Sequence, residues 1–297
     1  MSQVHFSSET KTAKSSESMA SPTQRLPIRI RKGTRADIDD VVRVENAAFG
    51  PGIMSRLMYP NGLSDDSRAK AAASLAKIFD DADVREQGSV SSKPKENESF
   101  LVVAETVPEG DESRPEVIAF ARWDIWREPR KEEEWNVVEP VSAYTSEGAN
   151  DEFVEAFLGG IHAMRRRNMK GDPALCKHPH SPWHNVTDSS TKGLRMLCSM
   201  PSRGRMGAGS GLLRWGTEIA DREGLRCWLE ASPHGYPLYK RFGFEAVDVL
   251  DLDLARKWGA VRRPDEDWGA NNAVEVAGVA PEGVNRTPGM WRVPIKR

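Results

Sequence analysis

Apolar and polar residues alternate or recur at helical spacing along most of the chain, and the pattern predicts an ordered series of elements. The run PIRIRKG sets Ile28 and Ile30 between basic residues, the period of a half-buried strand. Thr34 is placed to cap a helix with Asp37 in its first turn and Ile38, Val41, Val42, Val44 and Phe49 as the apolar stripe. Gly50-Pro51-Gly52 ends it. A second helix is expected from about Ser64 to Arg85, with Leu75, Ile78 and Phe79 inward, followed by a polar loop over 86–98. SFLVVAETV and EVIAFARWDIW read as an antiparallel hairpin across PEGDESRP. After a charged stretch, Phe153, Phe157, Ile161 and Met164 mark a helix from Asp151 to about Lys170.

Residues 171–193 hold three prolines and no period, which predicts an irregular insertion loop. LRMLCSM is a strand, PSRGRMGAGS a glycine-rich loop, and GLLRWGTEIADRE a helix with Leu212, Leu213, Ile219 and Ala220 on one face. Gly224 stands where such a helix takes its left-handed terminating residue. LRCWLE, the short helix SPHGYPLYKRF and the strand FEAVDVLDLDL follow, and a tight strand–helix–strand crossover demands two parallel strands. Residues 255–288 read as a variable segment before a last strand, GMWRVPI.

Composition narrows the function classes. With 42 basic and 44 acidic residues among 297, the formal net charge is -2, which argues against nucleic-acid or membrane-surface binding as a general property. No apolar run reaches the length of a membrane-spanning helix. Residues 1–24, rich in Ser, Thr, Lys and Glu, are expected to be a disordered tail, leaving 25–297 as one domain. The start lacks a basic and apolar leader, and Cys176, Cys198 and Cys227 are too few for a disulfide scaffold, so a reducing, cytoplasmic home is expected. Cys198 and Cys227 read as small apolar strand residues. Cys176, His178, His180 and His184 fall within nine residues, but their spacing matches no common zinc framework, and no metal is expected.

The glycine-rich loop invites an anion. Small residues let a ligand approach the backbone, unpaired amides point outward at the helix start, and the helix dipole adds positive potential. A nucleotide P-loop is disfavoured because Ser210 stands where lysine is needed, and a dinucleotide fingerprint because Leu212 replaces its third glycine. Gly207-Ala208-Gly209, followed at the right distance by Leu238-Tyr239-Lys240-Arg241-Phe242-Gly243-Phe244, resembles the paired motifs of the GNAT superfamily of acyl-coenzyme A-dependent N-acetyltransferases. The resemblance extends over roughly Leu26 to Leu254, with Gly204 where the family has Gln or Arg.

That resemblance implies an α/β fold with a central mixed, mostly antiparallel twisted sheet flanked by helices, opened at its centre for acetyl-CoA. It implies that Leu197, Cys198, Ser199 and Met200 meet the pantetheine arm, and that Arg205, Met206, Gly207, Ala208, Gly209 and Ser210 meet the pyrophosphate. Tyr239 falls at the general-acid position. Glu230, at the end of a strand, is a candidate base or a structural carboxylate; ordered water is another base, and His234 reads as a solvated loop residue. The expected reaction is direct acetyl transfer to a primary amine, on a small molecule or a peptide. The alternative is a non-catalytic coenzyme- or protein-binding member of the same fold. The acceptor's identity and the oligomeric state are not written in the sequence.

Overall fold

The structure, a computed structural model, describes residues 27–88, 97–107, 114–138, 140, 145, 147–177 and 196–295. The chain runs β1 (Ile28–Lys32), α1 (Ile38–Phe49), α2 (Ile53–Met58), α3 (Asp65–Gly88), β2 (Asn97–Thr106) and β3 (Val117–Trp126). It continues through α4 (Glu132–Trp135), α5 (Asp151–Val154), α6 (Gly160–Met169), β4 (Ala174–Lys177), β5 (Met196–Ser199) and α7 (Ala208–Glu223). β6 (Arg226–Glu230), α8 (Tyr236–Arg241), β7 (Glu245–Asp253), α9 (Leu254–Trp258), α10 (Val274–Ala277) and β8 (Val284–Arg292) complete it.

Among the described residues the strands form one sheet in the order β1-β2-β3-β4-β6-β8-β7, with β5 pairing β3 beside β4. Only β4 and β6 run parallel; the other pairs are antiparallel. The result is the mixed, mostly antiparallel, helix-flanked α/β sheet that the resemblance implies. The expected hairpin is β2–β3.

Each face of the sheet is buried by a different set of helices. On one, Leu212, Leu213 and Ala220 of α7 and Tyr239 of α8 pack on Ile118, Trp123 and Ile125 of β3 and Cys227 and Leu229 of β6. On the other, Val41 and Val44 of α1 and Leu75 and Ile78 of α3 cover Phe120, Met196 and Cys198. Further along that second face, Phe153, Phe157 and Ile161 meet Leu252 and Leu254.

The helix expected over 151–170 is present with a π turn at Glu155–Gly159. Its inward residues are spaced by four, which an ordinary helix would rotate progressively off the sheet. The wider turn re-phases the chain so that Phe153, Phe157, Ile161 and Arg165 all stay buried. At the amino-terminal end Thr34 and Asp37 form the expected capping box around a short 3-10 turn, and the paired Arg31 guanidinium holds the Asp37 carboxyl down to about 2.

α7 lies flush on β3 because Gly216 has no side chain. A Cβ there would stand 2.2–2.4 Å from three atoms of the buried Trp123 ring. Gly216→Ala therefore gains helix propensity but overpacks a rigid ring, and the second effect is larger, about 1–3 kcal/mol. A melting temperature lower by about 2–4 °C for each kcal/mol lost is the expected readout. An unchanged melting temperature would mean that the helix stands off the sheet.

Several expectations need correction. Residues 171–193 are not wholly irregular, since Ala174–Lys177 is strand β4. Four residues directly after Pro173 carry too little period to be recognised. The parallel partner of β6 is thus β4, whereas β5, the strand before the glycine loop, pairs only β3. The segment 255–288 contains α9, α10 and the start of β8, and β8 inserts between β6 and β7. Nothing in the apolar spacing marks the short α2, and α3 with β2 leaves less of 86–98 as loop. Residues 1–24 and the cluster at 178–184 lie outside the described residues.

Candidate active site

The sheet opens where β5 takes over from β4. Asp124 of β3 pairs with Cys176, and Arg122, two residues on, pairs with Met196. Register continuity therefore sets Lys177 opposite Trp123 and makes Met196 the next rung, with no shift between β4 and β5 along β3. β6 is paired through Lys177↔Leu229 and, among the described residues, has no rung with β5. Met200 donates its amide to Ile118 O, so by strand alternation the amides and carbonyls of Leu197 and Ser199 face away from β3, towards that opening.

The glycine loop stands at the same point. A 3-10 turn at Pro201–Arg203 leads to Arg205 with φ 63 and Gly207 with φ 89, and α7 begins at Ala208. The two left-handed residues swing the chain so that the first amides of a sixteen-residue helix face outward. A Cβ at Gly207 would meet nothing within 4 Å, so the loop's mouth is open. A Cβ on Gly209 would lie 3.4 Å from Leu238, 3.7 Å from Leu197 and 3.9 Å from the Ser199 hydroxyl. One residue thus brings the loop, the free edge of β5 and α8 together. Arg205 is exposed, Met206 is partly buried on the α7 face, and Gly209 and Ser210 are half-buried.

Tyr239 follows Leu238 on α8 and is 4% exposed. Its ring packs edge-on against Phe244 at 6.1 Å and against Gly235, where a Cβ would come within 2.7 Å of the ring and 3.0 Å of the hydroxyl. The neighbouring Tyr236 hydroxyl is engaged with Glu275 at 3.1 Å. Leu197, Ser199, Arg205–Ser210 and Tyr239 therefore share one region. The side chain of Cys198 faces the other way, packing with Met196 and Met200 among α1 and α3.

Glu230 sits elsewhere. Along β6, Cys227 and Leu229 face α7, so Trp228 and Glu230 face α6. Glu230 is 0% exposed, accepts from Arg165 Nε at 3.1 Å and Nη2 at 2.9 Å, and accepts from Trp228 Nε1 at 2.5 Å. Burial raises its pKa against the pull of Arg165 and Trp228. The arrangement is that of a buried ion pair locking α6 to β6, the structural alternative named above for this residue. Cys227 is likewise inert as a nucleophile, its thiol pushed up to about 12 by burial.

A carboxylate that the sequence did not single out lies on the same face as α6. Glu45 of α1 is 3% exposed, its Oε1 accepts no hydrogen bond among the described residues, and burial raises its pKa to about 8 against the charge of Arg122. Arg122 is the β3 partner of Met196, the rung at which the sheet opens. Among the described residues, no group of three or more His, Cys, Asp or Glu side chains could hold a metal ion.

No family model and no curated protein matches the chain. Solved structures do. One is a crystal structure titled histone acetyltransferase HPA2 and related acetyltransferase, from Corynebacterium glutamicum: 16% identical, TM-score 0.40, covering 92% of this chain and 99% of that one. Another is the PaiA N-acetyltransferase from Thermoplasma acidophilum in complex with coenzyme A: 12% identical, TM-score 0.38, covering 90% and 99%. A third is the C-terminal condensation domain of Ebony in complex with β-alanyl-dopamine: 13% identical, TM-score 0.47, covering 90% and 99%. These likenesses are of fold class.

Proposed function

We propose that this GNAT-like chain transfers an acetyl group from acetyl-CoA to a primary amine by direct attack in a ternary complex. The observation that carries the reading is the convergence at Gly209 of a helix start, a strand edge unpaired among the described residues and the helix bearing Tyr239. The first suits a diphosphate, the second an amide-containing arm, and the third a departing thiolate.

The two faces of the opening divide the work. On the α7 and α8 face, the amides of Ala208, Gly209 and Ser210 hold the pyrophosphate, with Arg205 adding charge at the rim. Backbone groups of Leu197 and Ser199 pair the pantetheine arm, and Cys198 and Met200 complete that strand through their backbone. On the opposite face Glu45 takes the proton of the incoming ammonium. The amine nitrogen then bonds to the acetyl carbon and passes its surplus proton to water, the carbon–sulfur bond breaks, and Tyr239 gives its hydroxyl proton to the sulfur. Both residues return to their starting states by exchange with water. A carboxylate poised near pH 8 matches the proton affinity of an amine better than an ordinary one would. Glu230, bound on both oxygens by Arg165, holds the far wall in place instead.

Calorimetry with coenzyme A and acetyl-CoA, followed by a thiol-release screen against small amines and peptide N-termini, tests the reading. Binding with thiol release by at least one amine class is expected. No heat at millimolar coenzyme would overturn the site. Binding without thiol release from any amine would favour the non-catalytic alternative.

A further inference from the structure

A small cavity of about 20 Å³ lies behind the ion pair, between α6 and the segment around α4, away from the glycine loop. That is the room of one water molecule or one monatomic ion. Arg130, Arg165, Arg166 and Lys170 line it together with His162 and the rings of Trp126 and Trp135, and no carboxylate does among the described residues. Arg165 is 7% exposed. Its Nε and Nη2 are spent on Glu230, while Nη1 is buried and has no hydrogen-bond partner among the described residues.

The surroundings fix these cations in place. The Arg130 guanidinium lies 4.2 Å from the centre of the Trp126 ring, and its backbone amide donates to Gly171 O. Arg166 Nη1 donates to Val137 O at 3.1 Å. Gly171, with φ 74, lets the chain turn under Trp135, where a Cβ would stand 2.3 Å from the indole. Four cationic side chains thus line a space one atom wide, with the Glu230 carboxylate bound behind Arg165.

A buried guanidinium nitrogen without an acceptor is costly. An anion satisfies the same donors with charge-assisted bonds and offsets the local positive excess. We propose that this cavity is a binding site for one monovalent anion of chloride size, held by Arg165 Nη1. The site is separate from the proposed acetyl-transfer chemistry and stands whether or not that chemistry is found. Its occupant braces α6 against β6 through the Arg165–Glu230 pair.

The test is thermal melting of the full chain at constant ionic strength, with gluconate replaced stepwise by chloride or bromide. A saturable rise of several degrees in melting temperature is expected, equal for the two halides. Crystals soaked in bromide should show an anomalous peak in contact with Arg165 Nη1. The double variant R166Q/K170Q, altered only at the cavity's half-exposed rim, should need several-fold more halide for the same rise. Arg165→Lys, which keeps the charge but loses Nη1, should lose the response. If that variant does not fold, the bromide peak in the unaltered protein decides. Identical melting in gluconate and chloride, or a water molecule at the position in bromide-soaked crystals, overturns the proposal.

Discussion

Glu45→Gln is expected to lower turnover by about 10²-fold or more while leaving coenzyme affinity unchanged. In the unaltered protein, turnover should climb as pH rises through about 8, where the Glu45 carboxyl ionises. The Gln variant should lose that limb, because an amide takes no proton at any working pH. Stability should move in the opposite sense. Burial raises the group from 4.5 to about 8, so the folded chain keeps a proton that the unfolded chain releases. That contribution is fully present below about pH 4.5 and is lost as pH rises to about 8. Glu45→Gln, neutral throughout, should therefore melt near the unaltered protein at pH 5 and above it at pH 8–9. The gap should be on the order of a few kcal/mol. Unchanged turnover with raised alkaline stability would make Glu45 a buried packing residue and send the search for a base to ordered water.

Tyr239→Phe should cost about 10²-fold or more in turnover with coenzyme binding intact. Removing the hydroxyl leaves the ring against Phe244 and Gly235, so the fold should hold. Tyr236→Phe is the control: its hydroxyl is engaged with Glu275, and turnover should stay within a few-fold. Acetyl donors with a more acidic thiol need less help in departing, so they should recover much of the lost rate in the Phe variant. Equal rates in the Phe variant and the unaltered protein would remove Tyr239 from the chemistry.

What the sequence made legible is what it stores contiguously. The glycine loop, α7 and the Tyr239 motif lie within about forty residues, and each is marked by local chemistry: glycines at a left-handed turn, an apolar stripe, a terminating Gly224. Glu45 was less visible because a carboxylate on an amphipathic helix ordinarily faces water. The signal was its position, four residues after Val41 and three before Ala48, on the stripe itself. Glu230 stands out along the chain as an unusual carboxylate, but its engagement is hidden, since its partner Arg165 lies 65 residues away and only the fold unites them. β4 is invisible locally because its four residues depend on β3 and β6 for their conformation, and the place of β8 because nothing local tells a strand that it will be inserted between two others.

The uninterrupted register from Lys177 to Met196 has a consequence for how such a sheet can change. Chain length at that rung is decoupled from the alignment of every other strand, because the backbone bonds of β3 fix both stubs independently. Segments of any size can be spliced, shortened or exchanged there without re-pairing a neighbour. That makes the junction between β4 and β5 a natural place to alter the chain on an otherwise unaltered scaffold.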